Sequence, residues 1–176
     1  MNNPYSKISS PYSVISKFDS IPLVSGRPLI ICDIDETLLY MSDNNSQILK
    51  YPLFYNKHGY FSTSAIKNRS ILPTDIDGFY RLEHRVNSLG GKLIFLTARH
   101  REASNYIVED FEKIGLQSYK YDIHYTGNMI SKGEYIKKFI NVSGYSHLYF
   151  IDDLHENIRS VYYYFPNSNL FLFSRR

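Results

Sequence analysis

A single cysteine, Cys32, occurs in 176 residues. An intramolecular disulfide framework is excluded, and a lone thiol fits a reducing compartment. No apolar run approaches the roughly 18 residues needed to cross a bilayer, and the opening MNNPYSKISSPYSVISKF has no apolar signal-peptide core. The expectation is a soluble, cytoplasmic protein with no membrane partner. Neither sign of charge is in excess: 20 Lys and Arg against 17 Asp and Glu give +3, short of a nucleic-acid-binding footprint. No internal repeat is evident. What is present is an ordinary globular balance, 43% hydrophobic and 21% charged, in a length that suits one domain.

The apolar residues alternate between two patterns. PLIIC (28–32), KLIFL (92–96), YDIHY (121–125), HLYFI (147–151) and LFLF (170–173) read as short buried strands. Between them lie helical spacings. Residues 74–91 place Ile76, Phe79, Leu82, Val86 and Leu89 on one face, with Thr74 as N-cap and Gly90 as the stop. Residues 101–115 align Ala103, Ile107, Phe111 and Ile114, KGEYIKKFI (132–140) reads as a helix, and 154–165 points Leu154, Ile158, Val161 and Tyr162 inward. Strands alternating with amphipathic helices predict an α/β domain with a mostly parallel sheet covered on both faces. Residues 1–20 read as an N-terminal extension with a short amphipathic turn or helix at Val14, Ile15 and Phe18, and 21–176 as the single domain. Residues 39–73 break the rhythm as a flap or small cap insert, in which NKHG turns a hairpin pairing Leu53–Tyr55 with Tyr60–Ser62.

In an open parallel sheet, ligands bind at the carboxyl ends of the strands. Those ends carry Asp33 and Asp35, then Thr97, then Asp152 and Asp153, while Lys132 begins a helix. So many acids in one crevice would repel, and burial would drive some to take up protons. A divalent cation removes the conflict, and oxygen-only ligands suit Mg²⁺, which binds one or two carboxylates together with a phosphate. Lys132 and Thr97 then offer a cation and a hydroxyl donor to the remaining phosphate oxygens.

DIDET (33–37), LIFLT (93–97), Lys132 and YFIDD (149–153), in that order, resemble the four motifs of the haloacid dehalogenase (HAD) superfamily, in its DxDxT phosphatase branch. DIDETLL, LTAR and SKGEYI look most like phosphatase-like members with no assigned substrate. The resemblance covers residues 28–175, without much of 39–73. It implies a three-layer Rossmann-like HAD fold and a Mg²⁺-dependent phosphomonoester hydrolase working through an aspartyl-phosphate. By the same resemblance Asp33 is the nucleophile and Asp35 the acid and base. Mg²⁺ is held by the Asp33 carboxylate, the Asp35 main-chain carbonyl and Asp153. Asp152 stands beside the ion as an indirect partner, Asn157 braces Lys132 or Asp153, and Thr37 orients the loop. The alternative is a catalytically weak protein of this fold that binds phosphate or a partner.

Other residues near these motifs leave alternatives open. Thr97 also reads as a helix N-cap, and the Asp152–Asp153 pair as a cap for the helix that follows. Arg99, His100 and Arg101 either meet an anionic substrate or form an exposed loop. His155 reads as an exposed helix residue, Cys32 as an inert core thiol, and the tyrosines as packing. Only 35 positions separate Thr97 from Lys132, too few for a second cap. A thinly covered site admits a small phosphorylated molecule, a phosphoprotein or a nucleic-acid end, with the oligomeric state open.

Overall fold

The computed structural model describes residues 11–42 and 70–175, and elements are numbered over those residues. The expected hairpin within 43–69 and the first ten residues lie outside them. β2 (Pro28–Cys32) is buried along its whole length, as its unbroken apolar run requires. It lies between β5 (Lys92–Thr97) and β7 (His147–Asp152), with β6 (Ile123–Tyr125) outside β5 and β8 (Asn169–Phe173) outside β7. A further strand, β1 (Ser13–Ile15), closes the order β1-β8-β7-β2-β5-β6, and every pairing in this sheet is parallel.

Side chains alternate across a strand, so each strand supplies two cores. Ile30, Cys32, Phe95 and Ile151 point to one face. There they meet Phe79, Leu82 and Val86 of α1 (Ile76–Ser88) and Ile107 and Phe111 of α2 (Ser104–Lys113). Leu29, Ile31, Leu96 and Phe150 point to the other, against Ile136 of α3 (Lys132–Phe139) and Ile158 and Val161 of α4 (His155–Tyr164). Each fully buried side chain of this kind contributes about 1.5–3 kcal/mol. The three-layer α/β arrangement is as expected.

Several local expectations need correction. The segment expected to extend from the domain supplies the edge strand β1 and a 3-10 turn at Phe18–Ser20. With only Val14 and Ile15 apolar in succession, β1 is too short to show period-2 alternation. Phe18 is fully buried, stacked on Phe173 at 4.9 Å and edge-on to Phe79 at 5.6 Å. Phe18→Ala should therefore cost about 3–5 kcal/mol. Urea unfolding checks this, and an unchanged midpoint would mean that the segment is no part of the core.

Thr74 does not cap α1. Asp75 does, accepting from the Gly78 N–H at 3.2 Å and also from the Phe18 N–H at 2.8 Å. α1 ends before Gly90, whose φ of +67° turns the chain out of the helix. In α4, Leu154 and Tyr162 are exposed while Ile158 and Val161 are buried. Leu154 has extended backbone angles just before the helix, so helical periodicity does not reach it.

The chain runs outward from β2 through β5 to β6, then returns to the far side of β2 for β7 and β8. α1 and α2 cover one face, α3 and α4 the other. The switch falls between β2 and β7, where a crevice opens at the carboxyl ends. β3 (Leu39–Ser42) and β4 (Ser70–Pro73) form a separate antiparallel pair, Leu39 opposite Pro73 and Ser42 opposite Ser70. This pair is the base from which the expected insert departs.

Candidate active site

The ladder between β2 and β7 continues one step past β2, since the Asp33 N–H donates to the Ile151 carbonyl at 2.9 Å. Asp33 is thus fixed at the sheet edge before the chain turns. The turn is tight. The amides of Leu38 and Leu39 both return to the Ile34 carbonyl, and Glu36 stands at the apex with φ +62°. Thr74 hydroxyl donates to the carbonyls of Thr37 and Leu38, which is the use it has in place of capping. Thr37 Oγ1 donates to Asp33 Oδ2 at 3.3 Å. Glu36 is paired with Arg175, whose guanidinium lies 4.3 Å over the Tyr40 ring. The motif loop is therefore held from β4, through Thr74, and from beyond β8.

Lys132 opens α3, where Ser131 caps the helix by accepting from the Glu134 N–H. Its neighbour Gly133 sets the spacing of the two helices on that face. A Cβ there would fall 2.1 Å from the Ser160 carbonyl oxygen, so α3 and α4 meet backbone to backbone. Lys132 is thereby carried into the crevice, where its ammonium pairs with Asp33 Oδ1 and, at 2.7 Å, with Asp152 Oδ2. Asp152 is fully buried. Its Oδ1 also accepts from the Leu154 N–H at 2.9 Å, and Asn157 Nδ2 donates to both its oxygens at 3.0 and 3.1 Å. Asn157 therefore braces Asp152 rather than Lys132 or Asp153.

Asp153, less buried, faces the cavity. Carboxylate oxygens of Asp33, Asp152 and Asp153 lie within 4.8 Å of one another. Burial pushes Asp33 well above the ordinary carboxylate range, with Asp152, Asp153 and Asp35 adding to the rise and Lys132 opposing it. Burial and then the Asp152 charge raise Asp153 to about 7. Burial acts to lower the pKa of Lys132, but Asp152 and Asp33 outweigh it and raise it above the ordinary lysine value.

Asp35 sits differently. Arg99 grips both its oxygens, Nε donating to Oδ2 at 2.9 Å and Nη2 to Oδ1, and Arg99 Nη1 donates to Asp110 Oδ2 at 2.8 Å. Of the three basic or imidazole residues after Thr97, Arg99 is fully buried on the carboxylates of Asp35 and Asp110, so it is not an exposed loop residue, and the anions it meets belong to the protein rather than to a substrate. Thr97 accepts from the Arg99 N–H at 3.1 Å and lies 3.5 Å from Asp35 Oδ2, and it caps no helix. Asp110 escaped the sequence reading. The signal was its place on α2, three residues after Ile107 and next to Phe111, an acid on an apolar face. Cys32 is buried in the core beneath, its thiol raised by burial. His155 is exposed, with Nδ1 2.9 Å from the Tyr12 hydroxyl.

Among the described residues, five buried or half-buried carboxylates, Asp33, Asp35, Asp110, Asp152 and Asp153, thus lie around two cations, Lys132 and Arg99. Uncompensated negative charge of this size is costly. The all-oxygen donor set of Asp33, Asp152 and Asp153 fits a hard divalent cation.

A family model described as HAD superfamily, subfamily IIIB (Acid phosphatase) matches residues 12–147. The matched span runs from the residue before β1 to the first residue of β7. It takes in Asp33, Asp35, Thr97 and Lys132 and ends before Asp152 and Asp153. No curated protein and no solved structure matches the chain. No helix among the described residues is long and apolar enough to cross a membrane.

Proposed function

The chain belongs to subfamily IIIB of the HAD superfamily, the acid phosphatases, and is a phosphoric monoester hydrolase; from that premise we propose a two-step, Mg²⁺-dependent hydrolysis centred on Asp33. One observation carries the reading. Asp33 lines a cavity of about 330 Å³, paired with Lys132 and with a carboxylate oxygen within 4.8 Å of those of Asp152 and Asp153.

In the first step an Asp33 carboxylate oxygen attacks phosphorus and the bond to the leaving oxygen breaks. Asp35, on the same cavity wall, gives that oxygen its proton. In the second, Asp35 takes a proton from the water that attacks the aspartyl-phosphate, and phosphate leaves with Asp33 restored. Lys132 keeps Asp33 aimed and offsets the charge of the incoming phosphate. Asp152 acts through Lys132, which it holds with Asn157 and the Leu154 amide behind it. Mg²⁺, held by the carboxylates of Asp33 and Asp153 and the main-chain carbonyl of Asp35, would neutralise charge on the phosphoryl oxygens.

The family implies a phosphorylated small-molecule substrate, and a cavity of this size accommodates one. Exposed Leu154 on its lip offers an apolar surface to the leaving group. Para-nitrophenyl phosphate should be hydrolysed with Mg²⁺ and not with excess chelator; equal rates in both would remove the cation from the proposal. Phosphorylated metabolites, nucleotides, phosphopeptides and 3′-phosphate oligonucleotides, run in parallel, rank the substrate classes.

A further inference from the structure

We propose that Asp110 is a positioning residue for the acid and base of this reaction, acting through Arg99. The inference rests on the phosphatase reading above. It starts from a buried row of three charges, Asp35, Arg99 and Asp110, whose side chains are 8%, 0% and 0% exposed. Asp35 comes from the motif loop, Arg99 from the turn after β5, and Asp110 from the middle of α2. Three separate elements converge on one guanidinium.

The geometry assigns each edge of that guanidinium a task. Nε and Nη2 hold the two oxygens of Asp35 as a planar fork, which fixes both the position and the plane of the carboxylate. The opposite corner, Nη1, is held by Asp110. Arg99 is a cation close to a cavity made for phosphate, and a phosphoryl group there would draw it away from Asp35. Asp110 opposes that pull, so Arg99 serves the proton-transferring carboxylate instead of the substrate anion. An acid buried on the apolar face of a helix is costly unless it is paired. Here the pairing ends at a reacting group.

This role makes a prediction that packing alone does not. Protonation of the leaving oxygen matters for an alkyl phosphate, whose alkoxide is a poor leaving group. It matters little for para-nitrophenyl phosphate, whose phenolate departs without a proton. The comparison uses kcat/KM for glycerol phosphate and for para-nitrophenyl phosphate, since this ratio reports the first transfer, in which Asp35 acts only as acid. Asp110→Asn should lower the glycerol phosphate value about tenfold to a hundredfold and the para-nitrophenyl phosphate value about threefold or less. Arg99→Lys keeps the charge between the two carboxylates but loses the planar fork, and should show the same split; it carries the test if Asp110→Asn does not fold. Equal losses on both substrates, or no loss on either, would overturn the positioning role and leave the phosphatase reading intact. A wild-type protein inactive on both substrates would overturn that reading itself.

Discussion

Asp33→Asn should abolish hydrolysis of para-nitrophenyl phosphate, lowering kcat about 10⁴-fold or more, in line with removal of a nucleophile elsewhere. The amide is almost the same size: its oxygen can still accept from Lys132, and its NH2 can donate to the Thr37 hydroxyl, which now donates to Asp33. It cannot form the acyl-phosphate. The fold should not suffer. Asp33 is one of five carboxylates that outnumber their cations, and burial already opposes its charge. Removing that charge relieves repulsion, so in chelator the thermal midpoint should equal or exceed that of the wild type. Circular dichroism melts and initial rates on one preparation decide the matter. Equal rates for variant and wild type would refute Asp33 as the nucleophile.

Lys132→Met should lose both stability and activity. Methionine fills the space of the lysine stem but leaves Asp33 and Asp152 facing each other without the ammonium between them. Breaking a buried ionic cluster by removing one partner costs about 3–5 kcal/mol, and urea unfolding in chelator should show that loss. Mg²⁺ should restore part of it, because a cation bound by Asp33 and Asp153 supplies the missing positive charge nearby. Activity should fall about 10²–10³-fold even with Mg²⁺ saturating, the scale of losing one preorganised charge partner of a transition state. Unchanged stability in chelator would show that the ammonium does not hold the cluster together.

The parts of this protein legible in its sequence were those in which one local rule sufficed. PLIIC is buried on both faces throughout, and KLIFL and HLYFI are so beyond their first one or two residues, and such buried stretches need little but apolar residues. Their ends then place Asp33, Asp35, Thr97 and Asp152 with little further assumption. What escaped depended on distant partners. β1 is three residues long and exists because β8 offers it an open edge. Thr74 and Asp75 are both good capping residues, and the choice between them is made by Phe18 and the motif loop, which occupy opposite sides of the turn. Arg99 reads either as a contact for an anionic substrate or as an exposed loop residue until Asp35 and Asp110 are seen around it. Asn157 was placed by helical spacing from Asp153, yet its amide turns to Asp152, the acid with two oxygens to satisfy.

The pairing of β1 with β8 sets Ser13 beside Phe171, and Arg175 beyond β8 fastens Glu36 in the loop that carries the reactive acids. During synthesis on the ribosome, β1 must wait for β8 before it can pair. The DIDET loop gains its fastening by Arg175 only after residues 169–175 have left the exit tunnel. Contacts so far apart in sequence are slow to form. Until β8 is made, the loop that carries Asp33 has the Thr74 hydrogen bonds but not the Arg175 ion pair.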